Sequence, residues 1–210
     1  MHPTFHLRWR NEGPRRRPTR SFVTVALAAA TFCAACENVG SEVRYLSAPE
    51  TKPRGAAPNA KSRVLSAEPY GTKHYVLVLT DGDEVMTALA NFMRREKVQG
   101  AAFHGIGAVR ESEIAWFDPE RQKYKAITVR EQVEVLALNG DTALDSQQNP
   151  TVHAHAVLGT ENARTFGGHL LHAVTSPNLE LFVTTYPTAL LKRPVPGKGF
   201  ERIDPTLSRE

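Results

Sequence analysis

Cysteine is nearly absent from this 210-residue sequence, and the two that occur, Cys33 and Cys36, both lie near the N-terminus. Residues 37–210 therefore contain no thiol. This excludes both a disulfide framework and a thiolate metal site from that part of the chain.

A strong excess of charge of one sign is also missing once the N-terminus is set aside. The formal net charge is +4 at pH 7, but residues 1–35 carry six Arg and one Glu, a net of +5, which leaves residues 36–210 at −1. A body so close to neutrality has no bulk attraction for phosphate, although it is compatible with a local basic patch. The basic composition is therefore no argument for nucleic-acid binding.

The N-terminus lacks a hydrophobic run long enough to span a membrane as a stable helix. Residues 21–32 (SFVTVALAAATF) follow a basic leader and are typical of a secretory signal. The next four residues, Cys33-Ala34-Ala35-Cys36, resemble a bacterial lipobox, although Leu is usual at the position of Cys33. We therefore predict a signal peptide over residues 1–36 with lipidation at Cys36, which places the protein in the cell envelope, anchored on the periplasmic face. A plain cleaved signal with periplasmic release and retention in the cytoplasm are the alternatives.

The rest of the chain divides into a tether and one domain. Residues 37–70 contain four prolines and charges of both signs without sustained periodicity, which predicts a flexible linker. The compact domain is predicted over residues 71–205, with residues 206–210 as a tail.

Hydrophobic periodicity in the domain predicts an α+β fold with an antiparallel-rich mixed sheet and one main helix near its start. The helix is expected at residues 84–97, after an N-cap at Asp83 and with Val85, Leu89, Phe92 and Met93 on one apolar stripe. A turn is expected at Asn139-Gly140-Asp141. Strands are expected at residues 74–80, 99–109, 114–118, 124–129, 132–138, 152–158, 170–174 and 179–185.

The most informative stretch is PTVHAHAVLGTENARTFGGHL, residues 150–170. Its first half alternates as a strand, so that His153 and His155 share one face, about 6.5–7 Å apart at Cα. His169 follows the pair Gly167-Gly168, which frees the backbone to turn back toward that strand. Three converging imidazoles would leave a tetrahedral metal one open position, as in catalytic zinc sites.

Other interpretations of these histidines stay open. An H-x-H pair on an exposed strand can be solvated and idle, and His172 could replace His169 as a ligand if its segment were helical. If the site is an enzyme, His104 and Glu134 are the candidate acid–base groups, with Glu180 as a third. Each of these, taken singly, is more readily explained as a hydrogen-bonded edge or surface group.

Several separate blocks of the sequence resemble the plant and prokaryote conserved (PPC) domain. They are, in order, YVLVLTDGDEV, FHGIGAV, WFDPERQKY, EQVEVLALNG, HAHAVLG and GGHLLHAVTSPNLEL, and they cover about residues 72–205. The resemblance implies an α+β sheet domain that assembles as a homotrimer. In prokaryotic members it also implies a metal held by the histidines of the HxH and GGHL blocks, here His153, His155 and His169. The fold is also similar to that of acetolactate decarboxylase, in which three histidines hold zinc.

Three functions follow as hypotheses. The first is an exported, lipid-anchored, metal-binding protein, whose Zn²⁺ or other divalent transition metal could serve a lyase or hydrolase acting on a small keto or acidic substrate, with Arg110 orienting the anion. The second is a DNA-binding or regulatory protein, which requires residence in the cytoplasm. The third is a structural trimer whose metal only steadies the subunits.

Overall fold

The structure is a computed structural model and describes residues 42–207. It contains one α-helix, α1 (Val85–Glu96), and a short 3₁₀ helix (Ala48–Thr51). Ten strands accompany them: β1 (Val43–Leu46), β2 (Lys61–Ala67), β3 (Lys73–Thr80), β4 (Ala101–Asp118), β5 (Lys123–Val129), β6 (Val133–Leu144), β7 (Pro150–Gly159), β8 (Thr165–Thr185), β9 (Lys192–Pro194) and β10 (Glu201–Ile203).

Eight of the strands form one sheet in the order β1-β5-β4-β6-β7-β8-β3-β2. Strand β4 also pairs with β8, so the four strands β4, β6, β7 and β8 close on themselves. All the ladders between the named strands are antiparallel. The predicted α+β class, rich in antiparallel pairs and with one main helix, is confirmed.

Helix α1 packs its apolar stripe into the core, as the spacing predicted. Val85, Leu89, Phe92 and Met93 are all buried. The predicted cap, however, is wrong by one residue, because the N-cap is Glu84, whose carboxylate accepts from the backbone N–H groups of the first turn.

Two predicted breaks fall inside continuous strands. The Asn139-Gly140-Asp141 turn is part of β6, because its residues pair with β4 on one side and β7 on the other. A Cβ at Gly140 would lie 2.2 Å from the carbonyl oxygen of His153. Glycine is therefore needed here because the two strands lie close together, and not because the chain turns. Likewise β8 runs unbroken through Gly167-Gly168 and on to Thr185.

The predicted tether of residues 37–70 also needs correction, because its described part holds regular structure. Strand β1 pairs with β5, and β2 pairs with β3 as the outermost strand of that side. Both segments form strands by pairing with other strands of the domain. Their own hydrophobic periodicity does not show this pairing. The sheet therefore begins well before the predicted boundary at residue 71, whereas the signal segment and Cys36 lie outside the described residues.

Candidate metal centre

The three predicted ligands come from two neighbouring strands. In the β7–β8 ladder His155 lies directly opposite His169, and His153 stands two residues before His155 on the same face of β7. The chain reverses through residues 160–164 rather than at the glycines. His169 therefore reaches the pair through strand register.

The three imidazoles converge to one point. One ligand nitrogen from each of His153, His155 and His169 lies within 4.8 Å of the others. Their ring centroids are 5.1 to 5.3 Å apart. This is the only group of three or more histidine, cysteine or acidic side chains that converges in this way within residues 42–207.

The glycine pair brings the backbone close to the neighbouring strands. A Cβ at Gly167 would lie 2.4 Å from the carbonyl oxygen of Ala156, and one at Gly168 would lie 2.7 Å from that of Ala115. Real Cβ atoms do not approach backbone oxygen that closely. The two glycines therefore allow β8 to lie close to both β7 and β4. His169 is the next residue on β8, so this close approach also fixes its position.

A carboxylate behind the cluster orients one ligand. Nδ1 of His153 lies 3.1 Å from Oδ2 of Asp141, which occupies the paired position on β6. Such a bond leaves Nε2 as the free nitrogen and makes the imidazole a better ligand. Nζ of Lys192 lies 3.9 Å from Oδ1 of the same carboxylate.

The electrostatics of the site favour neutral imidazoles. Burial, with smaller contributions from His153 and His155, lowers the pKa of His169 to about 3. Burial and the charge of His153 also lower the pKa of His155. A neutral imidazole carries the lone pair that a metal requires, so at neutral pH these two side chains are ready to coordinate.

Two further side chains surround the cluster. The ring of Tyr124 stacks on His169 with centroids 5.0 Å apart, and burial raises the pKa of its hydroxyl. Burial lowers the pKa of Lys192, whose side chain is only 10% exposed. The site therefore has an aromatic wall and one enclosed amine.

The donor set fits a zinc ion. Zn–N bonds of about 2.0–2.1 Å in a tetrahedron place ligand nitrogens about 3.4 Å apart. Nitrogens within 4.8 Å of one another can reach that spacing by small side-chain rotations. A supporting carboxylate on one imidazole completes the usual surroundings of a histidine ligand.

The other candidate residues lie outside the cluster. His172 belongs to a strand rather than a helix, and its Nδ1 lies 3.4 Å from Oε1 of Glu84. His104 stacks on Phe182, 5.6 Å between centroids. It faces Asn139 of β6, which in turn faces His155, so two strand spacings, about 10 Å, separate the two histidines.

The acid–base and anion-binding candidates are farther away or already engaged. Glu134 pairs with Gly159, which lies four residues, or about 13 Å, along β7 from His155. The side chains of Glu134 and Glu180 are both exposed. Arg110 donates to Asp81 at 2.9 Å.

Sequence reasoning missed three residues that surround the cluster. Asp141 looked like a turn residue, Tyr124 ends the WFDPERQKY block without any sign of a site role, and Lys192 lies in a segment with no motif. Only strand register and the path of the C-terminal segment bring them to the histidines. An aspartate in a strand that can pair with an H-x-H strand is the one signal that could have been used.

Comparison with known proteins agrees with this fold. The model of the family described as the Plants and Prokaryotes Conserved (PCC) domain matches residues 66–187. None of the curated proteins compared with the chain matches it.

Among solved structures, a plant- and prokaryote-conserved protein from Pyrococcus horikoshii is 26% identical with a TM-score of 0.59, over 69% of this chain and 94% of that chain. A candidate DNA-binding protein from Ralstonia eutropha is 28% identical with a TM-score of 0.59, over 66% of this chain and 94% of that chain. A metal-containing protein from Archaeoglobus fulgidus is 26% identical with a TM-score of 0.58, over 62% of this chain and 92% of that chain.

Proposed function

Because the chain belongs to the Plants and Prokaryotes Conserved domain family, we propose that it is a metal-binding member in which His153, His155 and His169 hold one divalent transition metal ion. The observation that carries the proposal is the convergence of three imidazole nitrogens within 4.8 Å. The similar protein from Archaeoglobus fulgidus, described as metal-containing, supports it.

The metal in this proposal is zinc, with Fe, Ni or Cu as alternatives that accept the same imidazole ligands. When bound through three protein ligands, such an ion offers an open position and acts as a Lewis acid toward water or a carbonyl. Asp141 holds the tautomer of His153. Tyr124 shields one face of His169 from water by stacking on it.

A second candidate activity is a lyase or hydrolase on a small keto or acidic substrate. The observation that favours it is Lys192, an enclosed amine beside the carboxylate that supports His153. An ammonium group there would attract a substrate carboxylate toward the cluster. Turnover of small keto acids by the metal-loaded chain, lost in Lys192→Met, would establish this activity.

The metal hypothesis is tested by elemental analysis of the full chain, purified without a histidine tag. We expect about one equivalent of metal per chain in the wild type and in His104→Ala, which removes an imidazole outside the cluster. We expect almost none in His153→Ala. Equal metal in the wild type and His153→Ala would refute the site.

Export with lipidation at Cys36 completes the proposal and concerns residues outside the described part. Within residues 42–207, the structure has no helix of the length and apolarity needed to cross a bilayer. Fractionation of cells, with mass spectrometry of the mature N-terminus, tests this location. An acylated Cys36 supports it, and an intact Met1 on a cytoplasmic protein contradicts it.

DNA binding is an alternative that the description of one relative suggests. The similar protein from Ralstonia eutropha is described as a candidate DNA-binding protein. Cytoplasmic residence, together with salt-dependent binding to duplex DNA, would decide for this alternative.

Self-association as a homotrimer is part of the same proposal. Large apolar side chains are exposed on each of the four strands that close the sheet: Ile106, Leu136, Val157 and Phe182. Exposed apolar side chains on neighbouring strands are typical of surfaces that bind another protein.

A further inference from the structure

A cleft that none of the three histidines lines lies between residues 42–55 and the rest of the sheet. Its volume is about 450 Å³, which is within the usual range for small-molecule sites. The residues that line it include Arg44, Arg54, Arg130, Glu113 and His172.

Part of the cleft lies outside the segment that matches the family. Arg44 on β1 and Arg54 precede residue 66, where the family match begins, whereas Glu113, Arg130 and His172 lie within the match. Residues 42–55 therefore supply two of the three guanidinium groups in the cleft.

Glu113 organises two of the three guanidinium groups. Its carboxylate is 2% exposed and accepts from Nη2 of both Arg44 and Arg54. These ion pairs fix the two side chains at the wall of the cleft. A buried carboxylate between two arginines fixes their direction and leaves most of their donors free.

The donors in the cleft exceed the acceptors. Three guanidinium groups carry about fifteen N–H donors, of which Glu113 uses two. Arg130 donates no hydrogen bond within residues 42–207, and its nearest carboxylates, Glu42 and Glu111, lie at 3.9 and 4.0 Å. Nε of Arg44 is buried and has no hydrogen-bond partner among the described residues.

We infer that this cleft is a binding site for a small oxyanion, a carboxylate or phosphate group, held between Arg130 and the Arg44–Arg54 pair. Guanidinium groups recognise such groups through paired N–H donors. The hydroxyl of Thr128, which also lines the cleft, adds one more donor.

The test is isothermal titration calorimetry of the full chain, with inorganic phosphate and succinate as separate probes. Titrations use metal-free His153→Ala protein, so that an anion bound at the three histidines is not counted. We expect saturable binding of at least one probe, and the tighter of the two identifies the preferred oxyanion. Absence of binding by both overturns the inference.

Three variants locate the bound anion. Arg130→Gln is expected to weaken binding about tenfold or more, and Glu111→Gln, which removes a competing carboxylate, to strengthen it several-fold. Arg63→Gln removes one exposed charge from β2 and should leave the affinity unchanged. Equal losses in Arg130→Gln and Arg63→Gln would mean non-specific charge attraction and would overturn the inference.

A purely structural role of the arginines gives a different result. Arg54→Gln leaves Arg44 on the buried Glu113, so the chain should fold, and its affinity for the probe should also fall. If Arg54→Gln and Arg130→Gln change only the melting temperature and not the affinity, the ion pairs merely fasten the N-terminal segment, and the inference is wrong.

Discussion

At the scale of single residues, Asp141 determines which ring nitrogen of His153 is available to a metal ion. Its carboxylate accepts a hydrogen bond from Nδ1–H, so the lone pair of the imidazole lies on Nε2. We predict that Asp141→Asn lowers metal affinity about 10–100-fold while the chain stays folded. Competition with a chelating dye measures this.

The control for that variant is Asp81→Asn, which alters an exposed carboxylate paired with Arg110. Its metal affinity should match the wild type. An unchanged affinity in Asp141→Asn would show that the carboxylate does not support the ligand.

The candidate ligands were predictable from sequence, whereas their surroundings were not. Alternation places His153 and His155 on one face whatever the partner strand is, and His169 stands out after two glycines. Asp141, in contrast, reaches His153 only because β6 pairs with β7 in one particular register. Register between strands is set by the whole core, so no local pattern shows it.

At the scale of elements, the close contact of β7 and β8 depends on glycine. A methyl group at Gly167 would meet the backbone oxygen of Ala156, which cannot move without disturbing the ladder. We predict that Gly167→Ala lowers the free energy of unfolding by about 1–3 kcal/mol, as measured by urea denaturation.

A glycine of β7 provides the matched control. A Cβ at Gly159 would contact only the side chain of Leu136, at 3.1 to 3.3 Å, and that side chain can rotate away. Gly159→Ala should therefore cost less than Gly167→Ala. The reverse order would contradict the account of strand packing.

The start of α1 is joined to β8 by Glu84, which accepts from the helix N-terminus and from the backbone N–H of Ala173. The Glu84 side chain raises the pKa of His172 above its ordinary 6.5. Burial alone would raise the pKa of Glu84, but the imidazole of His172 at 3.4 Å and hydrogen bonds from the helix N-terminus outweigh it and lower the pKa below 4.5.

These shifts predict a pH window for stability. The His172 contribution is complete below pH 6.5 and is lost as pH rises through its raised pKa. The Glu84 contribution is complete above pH 4.5 and is lost as pH falls through its lowered pKa. The stability difference between the wild type and His172→Ala should therefore be largest between about pH 4.5 and 6.5.

Urea denaturation of both proteins at pH 5.5 and pH 9 measures this difference. It should be smaller at pH 9, because the charged form of His172 on which its contact with Glu84 depends is lost as pH rises through its raised pKa. A difference that is equal at both pH values would show that His172 contributes by packing alone.

Element type was predictable where one segment carries its own periodicity. The buried strand β3 and the apolar stripe of α1 follow directly from spacing. The errors fall where a partner strand overrides local signals, as at Gly140 inside β6. The described part of the predicted tether shows the same effect, because β1 and β2 acquire strand structure only by pairing with β5 and β3.

At the scale of the whole molecule, the closed part of the sheet offers an apolar surface for self-association. We predict a trimeric mass in solution for the wild type and a smaller species for Ile106→Asp, because a charge there would be buried without a partner. Sedimentation equilibrium measures both.

Leu65→Asp is the control, since it places the same charge on the outer strand β2, where the side chain is exposed to a similar extent, 53% against 60% for Ile106. It should remain trimeric. A monomeric wild type, or a trimer that survives Ile106→Asp, would contradict this surface.

The central claim is that imidazoles from two neighbouring strands hold one metal ion. X-ray absorption at the zinc edge of the zinc-loaded full chain tests it most directly, because nitrogen and sulfur ligands differ in bond length. We predict three imidazole nitrogens at about 2.0–2.1 Å in the wild type and the loss of this shell in His169→Ala. A shell of sulfur at about 2.3 Å, from Cys33 and Cys36, or a spectrum unchanged in His169→Ala, would contradict it.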